Sequence, residues 1–85
     1  MITLAETKEY LRVDDSYQDE MIQRLIDTAE QFVRDYTDQD FADGAPEPVK
    51  TAATLYVSAL FDGELDPAMT HIRLLLNPHR LLGLA

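Results

Sequence analysis

Three sets of side chains have the types that chemistry uses. The run DDSYQDE gathers Asp14, Asp15, Asp19 and Glu20 within residues 14–20, and a hard cation such as calcium wants several such oxygens. An EF-hand loop also needs a glycine at its sixth position and a glutamate at its twelfth. Counted from Asp14 those positions are Asp19 and Leu25, so the run reads as turn and helix-cap residues with solvated acids. His71 and His79 are separated by a stretch holding Pro78, and no carboxylate or thiol follows to complete a zinc set. Nucleophilic catalysis needs a hydroxyl, thiol or amine beside an oriented base. Of the two serines, Ser16 reads as a cap and Ser58 falls in a helix expected to be buried. Asp38, Asp40 and Asp43 sit in a polar loop where nothing shifts their protonation toward acid-base work. The expectation is a protein that is not an enzyme and holds no metal or cofactor.

The elements around these residues follow from hydrophobic spacing. Thr3 and Glu6 have the capping-box separation, which predicts a short helix from Leu4 to about Leu11 with Leu4, Ala5, the Lys8 stem and Leu11 on its inner face. Met21, Ile22, Leu25, Ile26, Ala29, Phe32, Val33 and Tyr36 recur at steps of three and four and predict a second helix over about Tyr17–Tyr36. Asp19, Glu20, Asp27, Glu30 and Asp35 belong mostly to its wet face. TDQDFADGAPEP is a loop, with Phe41 expected to anchor it to the core. Pro48 suits the first turn of a third helix, and VKTAATLYVSALF, apolar nearly all round, predicts a central helix from Val49 to about Phe61. Asp66 and Pro67 read as the cap and first residue of a fourth helix carrying Met69, Ile72, Leu75 and Leu76. That helix is expected to stop at Asn77, because the residue before a proline disfavours helical geometry. No strand pattern or repeat is present. The class is all-α: a small bundle of about four helices with a largely buried third helix and an extended C-terminal tail.

Eighty-five residues allow one core, and a chain of this size buries only about 60–65% of its unfolded surface. Neighbouring copies that cover part of it are a physical option. There is no cysteine, which excludes disulfide and thiolate chemistry. The first residues show neither a basic leader nor a signal-length apolar core, and no apolar run reaches the roughly 20 residues of a membrane span, so a soluble intracellular product is expected. The net charge of −9 opposes binding to a phosphate backbone. It is also uneven: residues 1–45 hold 12 acids and 4 bases, residues 46–85 hold 4 and 3, and no acid follows Asp66.

The closing LLLNPHRLLGLA holds six leucines. They either fold back over the core or form an interaction arm, with Arg80 and His79 adding donors. An arm reaching the acidic half of a neighbour makes a head-to-tail contact, and such contacts close into rings when the rotation permits.

The order of TLAETKEYLRVD, a long helix ending in VRDYT, the PEPVKTAA entry into the third helix and a closing LLNPHR resembles the head-tail connector (adaptor) family of tailed bacteriophages and prophages. The resemblance implies a structural four-helix protein of the virion neck, made in the bacterial host cytoplasm or encoded by a prophage. It implies a homo-oligomeric ring between the portal protein and a stopper or tail-joining protein, through which DNA passes without specific binding, and no membrane. Carried over, Arg73, Leu74, Leu75, Leu76, Asn77, Pro78, His79, Arg80 and Leu81 correspond to the family's C-terminal, portal-contacting region. The expected portal or subunit interface is therefore Arg73, Leu74, Leu76, Asn77, Pro78, His79, Arg80, Leu81, Leu82 and Leu84, with residues 1–77 as the connector domain and 78–85 as its interaction tail. Family members often run beyond the equivalent of Ala85, which implies a portal contact that is either incomplete here or built from fewer residues. Two other classes fit the charge: an acidic DNA mimic that binds a nucleic-acid enzyme, and an antitoxin-like binding module whose tail orders on its partner.

Overall fold

The computed structural model describes residues 1–81; Leu82 and Leu84 of the expected interface lie outside them. Four helices, α1 (Leu4–Leu11), α2 (Asp19–Thr37), α3 (Glu47–Asp62) and α4 (Leu65–Leu76), are followed by a 3-10 turn at Asn77–His79. α3 packs against both α2 and α4, and α1 lies across α2 and α3. The result is a flat slab of 43 × 29 × 17 Å. Its thin dimension is less than two helix diameters of about 10–12 Å each, so the core is shallow.

Local signals set the helix starts. Thr3 Oγ1 accepts from the Glu6 amide at 3.1 Å while a Glu6 carboxylate oxygen accepts from the Thr3 amide at 3.0 Å, completing the capping box. Leu4, Lys8 and Leu11 are half-buried, but Ala5 is exposed and Thr7 takes the innermost place. The Thr7 hydroxyl is satisfied by donating to the Thr3 carbonyl at 2.8 Å.

Buried Ile22, Ile26, Ala29, Val33 and Thr37 form the inner stripe of α2, each large aliphatic contributing roughly 1.5–3 kcal/mol of burial. Between Val49 and Phe61 of α3 only Thr51 is exposed. Its fully buried positions include Ala52 and Ala53, small enough for the neighbouring helices to approach closely. Ile72 and Leu76 bring α4 into the same core, and Phe41 packs against its edge.

Several boundaries differ from the expectation for identifiable reasons. α2 begins at Asp19 after Gln18, whose side chain makes no cap bond; Asp15 instead accepts from the Tyr17 amide at 3.0 Å, closing a turn before the helix. α3 begins one residue before Pro48, with the Pro46 carbonyl accepting from Val49 and Lys50. α4 begins at Leu65, ahead of Asp66. Gly63, at φ 74°, ends α3 in a left-handed cap in which Gly63 donates to the Leu60 carbonyl and Glu64 to that of Ala59, delivering the chain straight into the next helix. The same geometry ends α1 at Arg12, φ 60°, a left-handed position filled without glycine. Asn77 keeps helical angles, φ −52° and ψ −44°, despite preceding Pro78. The helix tightens into a 3-10 turn instead of stopping.

Candidate interaction surface

The last turn of a helix leaves carbonyls without partners, and at the end of α2 the closing segment supplies them. Arg80 Nε donates to the Tyr36 carbonyl at 3.1 Å, and the Leu81 amide to that of Thr37 at 2.9 Å. Tyr36 completes the attachment from its side chain. Its hydroxyl donates to Asn77 Oδ1 at 2.5 Å, and the Arg80 guanidinium lies 4.7 Å from its ring centroid. Tyr36 stacks on Phe32 at 5.6 Å and Phe32 on Tyr56 at 4.7 Å, so a column of three rings runs from α3 to the Arg80 cation. Gln39, just past α2, donates to the His79 carbonyl. The arginine also places positive charge at the negative end of the α2 dipole.

This latch sorts the residues expected at an interface. Leu76 is wholly internal: its side chain is fully buried in the chain's own core and is not presented to a partner in this conformation. His79 and Arg80 are half-buried and engaged with α2 and the residues just after it. Arg73, Leu74, Asn77, Pro78 and Leu81 are exposed, and Leu75 is half-buried. Of the two readings of the leucines, Leu76 covers the core, whereas Leu74 and Leu81, 63% and 65% exposed, stand free of it. Within residues 77–81 the segment is pinned by a turn and hydrogen bonds, with Arg80 alone described as extended.

The opposite end of α2 presents a different surface. Lys8 Nζ meets Asp19 Oδ1 at 2.6 Å, docking the last turn of α1 on the first turn of α2. Past the middle of α2, Glu30, expected on the wet face, is mostly buried and accepts from the N-terminal ammonium at 3.3 Å and the Ile2 amide at 3.0 Å. Around the end of α1 and the start of α2, Tyr17 is 95% exposed, Met21 55% and Tyr10 54%. These three are functional candidates that the periodicity argument passed over: Met21 was counted toward the core, and neither tyrosine was singled out.

Among the described residues no group of three or more His, Cys, Asp and Glu is placed to hold a metal ion. Ser16 lies in an exposed turn and Ser58 is half-buried in α3. The best-formed surface hollow is an open depression at the α3–α4 turn, beside Gly63, Glu64, Asp66 and Pro67. No described helix is long and apolar enough to cross a membrane. Bonds from the Thr3 amide and hydroxyl hold the Glu6 carboxyl below its ordinary value.

Comparison with known proteins gives one match. Residues 1–73 match the family described as phage gp6-like head-tail connector protein, and the match ends at Arg73, before the latch. No curated protein and no solved structure matches the chain. With the matched span covering the capping box, both long helices and most of α4, the chain belongs to the phage gp6-like head-tail connector family.

Proposed function

We propose that the chain is a structural, non-catalytic subunit of a phage or prophage neck. Its copies close into a ring joining the portal to a stopper or tail-joining protein, and DNA passes through the opening without specific binding. The family match over residues 1–73 carries this reading. Two physical features support it. A net charge of −9 gives passing DNA a repulsive wall, and a slab 17 Å thick leaves broad faces that neighbours can cover. From Arg73 onward the exposed residues Arg73, Leu74, Asn77, Pro78 and Leu81, continued by Leu82 and Leu84, form the portal or subunit interface.

An acidic DNA mimic needs its carboxylates displayed along one face, whereas Asp19 and Glu30 are tied up in ion pairs within the fold. The deciding experiment removes the coding sequence from its phage or prophage and examines the particles by negative-stain microscopy. The expected result is DNA-filled heads and free tails that do not join, corrected when the wild-type chain is supplied in trans. Normally tailed particles from the deletion overturn the connector reading.

A further inference from the structure

We infer that the subunits dock head to tail through two specific patches at opposite ends of α2: Tyr17 and Met21 of one copy receive the outer face of α4, Leu74 flanked by Arg73, of the next. The inference rests on the connector reading and names the contact within it. The two patches are far apart in one molecule. Tyr17 precedes α2 and Met21 lies in its first turn, while the bonds from Asn77 and Leu81 to Tyr36 and Thr37 fix the end of α4 at the other end of the helix. α2 is nineteen residues long, about 28 Å at 1.5 Å per residue. No copy can satisfy its own patches, and two different patches that fit each other make a heterologous contact, the kind that propagates or closes into a ring.

Chemistry matches the pair. The Tyr17 end carries Asp14 and Asp15 against one arginine, Arg12, all exposed and in no ion pair among the described residues, while Arg73 at the other end is exposed and likewise unpaired. Asp38, Asp40 and Asp43 also lie beyond the end of α2, so the complementarity belongs to the outer face of α4, where no acid follows Asp66. Tyrosine and arginine are the side chains that most often dominate such contacts, because each brings a large rigid surface with a polar end. Leucine exposed to 63% beside an arginine offers the apolar half of the match.

The test uses two full-length variants, Tyr17→Asp with Met21→Arg, and Leu74→Asp with Arg73→Glu, both at exposed positions and both checked for unchanged helicity and melting temperature. Light scattering and sedimentation across a concentration series are expected to show wild-type chain assembling and each variant remaining monomeric, its self-association weakened about tenfold or more. An equimolar mixture of the two variants has one intact pair of patches and is expected to give heterodimers and nothing larger. Variants that assemble as wild type does overturn the docking assignment and leave the connector reading standing. A wild-type chain that is monomeric throughout the series also overturns it. The connector reading falls separately, if particles lacking the chain are normally tailed.

Discussion

At the start of α2 the chain is held by charge, Lys8 on Asp19. At its end, main-chain carbonyls are closed by Arg80 and Leu81 and an aromatic column is capped by a guanidinium. The first arrangement depends on an ion pair partly open to water, which salt screens and which contributes little by itself. The second satisfies groups that every helix leaves unpaired, and does so next to the core residue Leu76. The end that looks like a loose tail in the sequence is therefore the better anchored of the two. It also lies outside the span that matches the family, which stops at Arg73.

Substitutions at the two ends sharpen this contrast. The largest effect is expected from Leu76→Ala, which empties a fully buried position where α4 meets the latch. A loss of about 2–5 kcal/mol in urea unfolding is the usual cost of such a truncation; a loss below that range means the site is not the core contact described here.

Next comes Arg80→Ala, expected to cost about 1–2 kcal/mol through the lost carbonyl bond and cation-ring contact. Arg80→Lys should recover little, because an ammonium cannot donate to the Tyr36 carbonyl and lie flat on its ring together. Full recovery with lysine reduces the latch to a simple charge at a helix end.

Lys8→Ala at the other end is expected to cost at most about 1 kcal/mol, and less in high salt. A cost equal to that of Arg80→Ala, insensitive to salt, erases the contrast between the two ends.

Smallest is the acid response of α1. The Glu6 carboxyl is held below its ordinary value by the Thr3 bonds, so its contribution is complete above the unfolded value and lost as pH falls through the folded one. Fraying of α1, followed at the Thr3 amide by NMR, is therefore expected only at a pH below the ordinary glutamate range, and Glu6→Gln should remove that pH dependence. A Thr3 amide that titrates identically in the Glu6→Gln variant assigns the response to another group.

Much of the fold was legible because its signals are local. Thr3 and Glu6 announce a cap, the steps from Ile22 to Val33 announce a helix, and the apolar run from Val49 announces a helix buried on several sides. Boundaries were misread where two local rules compete. Asp66–Pro67 looks like a helix start, but the Gly63 cap had already turned the chain, and Asn77 before Pro78 stayed helical because a 3-10 turn accommodates the ring. The latch was not legible at all. Arg80 and Tyr36 stand 44 positions apart, and no periodicity links a cation to a particular carbonyl across such a gap. Leu76 stood both in the apolar set of the fourth helix, four residues after Ile72, and among the expected interface leucines, and only the packing of α4 decides between the two.

The latch also has a consequence for timing. The carbonyls that close α2 wait for a side chain made 44 residues later, and at 5–20 residues per second a ribosome needs roughly 2 to 9 seconds to supply it. Throughout that interval the last turn of α2 is hydrated and its aromatic column uncapped. A nascent chain thus passes from an open-ended helix to a finished slab only once Arg80 and Leu81 have been made.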